Sequence, residues 1–380
     1  MSSRKSHSKS PASKRVAARV VTTEVETERE DGAGWEMELA EHGWVPDPLL
    51  RMGIRARCAE TLVVERERQT CDDVRGDSVN AWVAELRDSA VAVQTDKANE
   101  QHYELPTSYF EKVLGKRLKY SATYWPEGCT TLDESEEHSL AQVCERVGVE
   151  DGMRVLDMGC GWGSFSLYCA EHFPNCSITS VSNSAVQRQF IEARAAERGL
   201  DNVTVITCDM NTFEAPVAGG FDRAVTIEMF EHMRNYEEIF ERVSRWLKPG
   251  GRIFVHIFTH KQLAYPFRKG DDGEWMAKYF FSGGQMPSDD LLLHFQDHLK
   301  IVKHWRLSGT NYEKTSNAWL VNHDANKAEI MEIFNETYGP EAMRWFHRWR
   351  LFYLACAELF GYDGGEEWIV SHYLFERRDE

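Results

Sequence analysis

Apolar residues are unevenly spread along this 380-residue chain. From about residue 135 they gather into short runs separated by amphipathic stretches. RVLDMG (154–159), SITSVS (177–182), VTVITCD (203–209), FDRAVTIE (221–228) and RIFVHIF (252–258) read as buried strands. FSLYCAEHF (165–173), residues 185–198, YEEIFERVSRWL (236–247) and, before the first strand, residues 136–147 space their apolar positions at helical intervals. Lys248-Pro249-Gly250-Gly251 predicts the stop of the helix that precedes it. Strands alternating with helices predict an α/β fold with a parallel, doubly wound sheet. KIVKHWRLS (300–308) reads as a further strand. EWIVSHYLFER (367–377) alternates cleanly and is expected as a last, antiparallel strand, which makes seven.

The flanking segments have a different pattern. LLRMGIRARCAETLVVERE (49–67) and VNAWVAELRDSAVAV (79–93) are helical in period, with Ser78 expected as N-cap of the second. Residues 260–299 hold glycines and aromatics without a clear strand and are expected to form an inserted helical flap. Residues 315–360 read as helices rich in aromatic side chains. The organisation expected is a disordered tail (1–33), an N-terminal helical cap and lid (34–130), a central α/β core (131–259), the flap (260–299) and C-terminal strands and helices that complete the core (300–380).

Composition narrows the function. Hydrophobic residues at 42% and charged residues at 28% are the balance of a soluble globular protein. A net charge of −17 argues against nucleic acid as the main partner, because phosphate binding needs a basic face. No uncharged apolar run reaches membrane-spanning length, so no integral membrane contact is expected. Nine scattered cysteines without a CxxC pair suggest a reduced compartment. The first 21 residues carry six Lys/Arg and no acid, and lack the apolar core of a secretory signal. A cytoplasmic location is expected, with organelle targeting by this basic tail as the alternative.

The chemistry begins at Val155-Leu156-Asp157-Met158-Gly159-Cys160-Gly161-Trp162-Gly163, a glycine loop between a strand and a helix. Glycines allow a sharp turn and close approach to a ligand, and the helix N-terminus offers free N–H groups. The dinucleotide fingerprint is GxGxxG with an acid about 20 residues on. Here the spacing is GxGxG, and residues 176–184 contain no acid. Asp157 beside the loop suits a ligand with a cationic amine, such as the methionine end of S-adenosylmethionine (SAM). Asp209 and Met210, at the end of the third strand, lie where an open α/β sheet binds ligands. They suit an adenine amino group and ring face. Metal dependence is not expected, since no tight cluster of ligand residues is present.

With these residues in view, the sequence resembles the coclaurine N-methyltransferase group. That group belongs with the cyclopropane-fatty-acid-synthase-like, class I SAM-dependent methyltransferases. The resemblance is carried by VLDMGCGWG, Asn183-Ser184 with Gln187, CDM (208–210), IEMFEHM (227–233), YFFSGGQMPS (279–288), LLLHFQD (291–297) and GYDGGEEWIVSHYLF (361–375). The glycine loop is generic, whereas IEMFEHM together with FFSGG(x)MPS is specific. It covers residues 96–377 well and 36–95 loosely.

The resemblance implies a Rossmann-like class I methyltransferase sheet and SAM as cofactor. It implies Tyr120 and Ser121 at the methionine carboxylate, Gly159 and Gly161 in the loop, Asn183 and Gln187 at the ribose, and Asp209 and Met210 at adenine. It further implies Glu231 and His232 as the catalytic pair at the acceptor amine, and Tyr103 and Glu104 in the acceptor pocket. Trp275, Tyr279, Phe280, Phe281, Trp345, Trp349 and Phe352 could add an aromatic wall that favours a cation, although the simpler reading of each is core. The lipid-modifying relatives hold a bicarbonate base with Cys, Glu, His and Tyr. This chain matches with Glu231, His256 and Tyr312 but has Ala122 at the Cys position. The implied activity is N-methylation of a small-molecule amine. The alternatives are methyl or methylene transfer to unsaturated acyl chains, and methylation of a thiol or other heteroatom. The acceptor's identity is not legible. Oligomeric state is not legible either, with a homodimer as the working expectation.

Overall fold

The computed structural model describes residues 34–70, 75–92, 105–216, 219–267, 274–281 and 283–378. The tail 1–33 and the pair Tyr103 and Glu104 lie outside the described residues. The chain divides into Met1–Glu38, of which residues 34–38 open helix α1 (Gly34–Glu41), and the compact body Leu39–Glu380.

Five parallel strands form the frame: β1 (Arg154–Met158), β2 (Ser177–Ser182), β3 (Val203–Thr207), β4 (Phe221–Ile227) and β5 (Leu247–His260). A two-residue ribbon, β6 (Tyr265–Pro266) and β7 (Gln285–Met286), follows. The last strands, β8 (Leu299–Leu307) and β9 (Trp368–Arg377), complete a seven-stranded sheet of order β3-β2-β1-β4-β5-β9-β8. β9 runs antiparallel to both β5 and β8, as its alternation predicted.

The alternation of side chains explains why helices cover both faces. Val155, Val225 and Phe254 point to one side, into a core with Leu140 and Val143 of α5 (Leu132–Val147) and Phe165 of α6 (Ser164–His172). Leu156, Ala224 and Val255 point to the other, against Ile239, Phe240 and Trp246 of α8 (Tyr236–Trp246). The helices are α2 (Asp47–Thr70), α3 (Arg75–Arg87), α4 (Thr107–Val113), α5 (Leu132–Val147), α6 (Ser164–His172), α7 (Ala185–Glu197) and α8 (Tyr236–Trp246). A short α9 (Glu274–Tyr279) precedes α10 (Thr310–Ala325), α11 (Lys327–Tyr338) and α12 (Ala342–Phe360). Local chemistry sets several ends. Thr131 and Glu134 form a reciprocal capping box at α5, which stops at Gly148 in the left-handed region. Ser184 caps α7, and Asn235 caps α8.

Three readings are corrected. Ser78 lies inside α3, which begins at Arg75, and is not its cap. The flap carries the β6–β7 ribbon as well as a helix, so it is not purely helical. Helix α8 ends at Trp246, and β5 already starts at Leu247, before the Pro-Gly-Gly turn.

The order of the strands reverses between β1 and β4. That switch point opens a crevice at the carboxyl ends of the strands, the usual ligand position in such sheets. Among the described residues, no helix is long and apolar enough to cross a membrane, and the cysteines are free.

Candidate active site

The loop after β1 is held from below. Gly159 and Cys160 donate their N–H groups to the Val181 carbonyl, each at 3.0 Å. Gly159 and Gly161 have φ of 73° and 53°, which favours glycine. Their surroundings differ. A Cβ on Gly159 would lie 2.6 Å from Met229 Cγ, whereas one on Gly161 would meet nothing within 4 Å. The first glycine is required by packing, and the second faces open space in which a ligand can approach the backbone.

Asp157 ends β1 fully buried and accepts the Ser166 hydroxyl at 2.5 Å, while Ser166 also meets Ser180 at 2.6 Å. Burial pushes its carboxyl up to about 7, against the Ser166 hydrogen bonds. Where the sequence suggested a carboxylate open to a ligand's amine, the structure uses Asp157 as a brace between the strand and helix α6.

At the end of β2, Gln187 lies in the first turn of α7, and Asn183 is half-buried in the preceding bend. The Ser182 hydroxyl donates to Gln187 Oε1 at 2.6 Å, which fixes the amide. Its Nε2 then remains buried with no partner among the described residues. A buried donor without an acceptor is costly, so this atom points to a ligand that brings an oxygen. Beyond β3, Asp209 Oδ1 accepts the Asn211 N–H at 2.7 Å, and Met210 is buried against the sheet.

Residues 119–122 form the other wall. Lys119 is buried, and its ammonium donates to Ser121 Oγ (2.6 Å) and to the Ala122 carbonyl (2.5 Å). Burial lowers its pKa to about 8, with Glu228 and Glu136 pulling it back up. Tyr120 packs on Phe110 and Trp319. Lys119 was not singled out by the sequence.

The acidic centre sits at the end of β4, and here the structure makes its main correction. The carboxylate that meets His256 and Tyr312 is Glu228, not Glu231. Glu228 Oε1 accepts the Ala122 N–H at 2.8 Å and faces His256 Nε2 at 3.1 Å, and Oε2 accepts the Tyr312 hydroxyl at 2.7 Å. Glu228 holds a left-handed backbone, φ 47°, which is unfavourable for a residue with a Cβ. Its side chain is 7% exposed. Burial raises its pKa, opposed by the Lys119 charge, the Ala122 N–H and Tyr312.

Glu231, in the turn Phe230–His232, is 1% exposed, and its Oε2 has no partner among the described residues. Burial holds this carboxyl well above the ordinary range, and the nearby Glu228 charge adds to the shift. His232 stacks on Phe281, with ring centroids 4.5 Å apart at 29°. Other suggested aromatics serve elsewhere. Phe280, Trp349 and Phe352 are core, and Tyr279 and Trp345 both take the Arg348 guanidinium, at 4.2 and 4.9 Å.

A glycine loop after β1, polar groups at the ends of β2 and β3, and a seven-stranded sheet with its last strand reversed define a class I SAM-dependent methyltransferase. Residues 92–365 match the family of mycolic acid cyclopropane synthetases. The (S)-coclaurine N-methyltransferase of Thalictrum flavum subsp. glaucum is 37% identical over 89% of this chain and 94% of its own. The cyclopropane-fatty-acyl-phospholipid synthase of Escherichia coli (strain K12) is 31% identical, over 69% of this chain and 63% of its own. A crystal structure of coclaurine N-methyltransferase bound to N-methylheliamine and SAH superposes with a TM-score of 0.85. It is 36% identical and covers 91% of this chain and 100% of its own. The chain belongs to the coclaurine N-methyltransferase group within the cyclopropane-synthase-like methyltransferases. It is an enzyme whose cofactor is S-adenosylmethionine, and its activity is N-methylation.

Proposed function

We propose that this methyltransferase acts on the nitrogen of a small, ring-bearing amine, held by the carboxylates of Glu228 and Glu231 against the Phe281–His232 wall. The observation that carries this reading is the buried Oε2 of Glu231, without a partner among the described residues, beside a second buried carboxylate. An arriving ammonium supplies the missing donor and the missing positive charge at once.

The cofactor fits the residues present. Asn183 and the Nε2 of Gln187, which has no partner among the described residues, would hold its ribose hydroxyls, Asp209 and Met210 its adenine, Gly159 and Gly161 its amino-acid end, and Tyr120 and Ser121 its carboxylate. When bound, it supplies a methyl group already activated by a sulfonium. The protein's part is alignment, exclusion of water and control of one proton.

An amine reacts only as the free base. Three donors occupy Glu228, which leaves a carboxylate about one further acceptor site for the incoming N–H. Glu231, with its raised pKa, is the stronger base of the two and receives the ammonium proton, so the nitrogen lone pair is freed inside the pocket. Phe281 presents an aromatic face to the cation before and after transfer.

The acyl-chain alternative is disfavoured by the same geometry. His256 and Tyr312, which match the His and Tyr that hold bicarbonate in the lipid-modifying relatives, are here engaged by Glu228, and the Cys position is Ala122. The reading keeps the expected division into cap, core and flap, and a cytoplasmic enzyme without a nucleic-acid partner, supported by the acidic charge. Incubation with isotopically labelled SAM and a panel of cyclic and acyclic amines tests it. The expected result is label on nitrogen. Label only on carbon, oxygen or sulfur acceptors would reject it.

A further inference from the structure

The hydrogen bonding does not stop at His256. Strands β5 and β9 place His256 opposite His372, and His256 Nδ1 lies 2.8 Å from His372 Nε2. The remaining nitrogen of His372, Nδ1, is bonded to Nη1 of Arg146 on α5. The Arg146 guanidinium lies 4.8 Å over the Trp305 ring, beside a surface crevice lined by Gln142, Glu145 and Lys303. A continuous line of side chains therefore joins the protein surface to the carboxylate of Glu228.

The polarity of this line follows from arginine, which has only donors. Nδ1 of His372 accepts from Arg146, so its proton is on Nε2. That proton is donated to His256 Nδ1. His256 must then carry its own proton on Nε2, directed at Glu228 Oε1. We propose that Arg146 and His372 are positioning residues for the methyl-transfer site: they fix His256 in one tautomer and so hold a permanent donor on Glu228. The inference rests on the reading of Glu228 as the carboxylate that faces the acceptor.

The arrangement does not conduct protons. A second proton on His256 would need His372 Nε2 as its acceptor. The His372 proton would then have to sit on Nδ1, facing the Arg146 N–H. Either the Arg146 bond or the imidazole pair would break. Burial, together with Lys119 and Arg146, holds both imidazoles well below their ordinary range. The charged and titratable groups that act on the line are few. Lys119, Glu231, Tyr312 and Cys356 act on Glu228. Lys119, Arg146 and His304 act on the imidazoles, and Tyr124 and Glu145 on Arg146. The proton released by the amine therefore stays with the carboxylates and leaves toward the pocket.

The test is ¹⁵N NMR of imidazole-labelled full-length protein, with wild type, Arg146→Met and Arg146→Lys. In the wild type, both His256 and His372 are expected as neutral Nε2–H tautomers that do not titrate through pH 6.5. Arg146→Met should give mixed tautomers. It should also move the acid limb of kcat/KM upward by about half a pH unit or more, because Glu228 loses a fixed donor. SAM affinity should be unchanged, and Arg146→Lys, which keeps a donor, should restore the wild-type signals. A wild-type His256 in the Nδ1–H or cationic form would overturn the proposal, as would imidazole signals indifferent to Arg146→Met. Tautomers that change while the pH–rate profile does not would establish the line and instead refute the role of Glu228 in the chemistry.

Discussion

Glu228 and His256 meet between adjacent strands at 3.1 Å, with Glu228 in a left-handed backbone that turns its carboxylate onto the imidazole. Each carboxylate oxygen is engaged, and the acid is held where β4 opens into the crevice. Glu228→Gln keeps the shape but replaces an acceptor oxygen with a donor that faces other donors. The expected outcome is a fall in kcat of about 100-fold or more, with SAM affinity retained, read by steady-state kinetics and calorimetry. Loss of both together would make Glu228 a structural residue.

Glu231 differs in having an oxygen without a partner among the described residues. Its pKa lies well above the ordinary carboxylate range. As a base it works only when ionised, so wild-type activity should fall as pH drops through that raised value. Glu231→Gln should lower the plateau and leave an acid limb set by Glu228 alone, shifted from that of the wild type, while SAM still binds. A variant with the wild-type limb would assign that limb to another group.

The two glycines of the loop should respond differently to a methyl group. In Gly159→Ala the new Cβ meets Met229 and must adopt φ 73°. A loss of stability of about 2–4 kcal/mol is expected in chemical denaturation. In Gly161→Ala the backbone strain remains but no protein atom is struck. Stability should fall by only about 1–2 kcal/mol, and SAM affinity should carry the main effect.

Asp157 links stability to pH. Its folded-state pKa of about 7 exceeds the unfolded value of 3.8. The protonated form is therefore favoured by folding. Its contribution is fully present below 3.8 and is lost as pH rises through 7. Asp157→Asn should flatten the decline over this window, by roughly a few kcal/mol, when unfolding midpoints at pH 4 and pH 8 are compared.

The strands and the glycine loop were legible because each is specified locally: an apolar run, a turn that needs positive φ, a capping residue. Gln187 was singled out by the resemblance alone, since no local signal marks it. The partners of the carboxylates were not legible. Glu228 stands only three residues from Glu231, and nothing local shows which of them reaches His256, 28 residues on, or Tyr312, 84 residues on. Lys119 and His372 were passed over because their roles depend on pairings across the sheet and the loop. Ser78 failed as a cap because the pattern of apolar positions begins one turn after the helix does. Core was the simpler reading of each ring suggested for the aromatic wall, and it holds for Phe280, Trp349 and Phe352. A ring at helical spacing packs into the core unless the fold turns it outward, and of the seven rings suggested, Phe281 is the one found on His232.

The most direct measurement is a crystal structure of the enzyme with S-adenosylhomocysteine and a methylated amine product. The expected result is a nitrogen within hydrogen-bond reach, about 2.6–3.2 Å, of a Glu228 or Glu231 oxygen, with Phe281 along its flank. An amine bound away from both carboxylates, or carboxylates still closed on their present partners with no access from the crevice, would contradict the account.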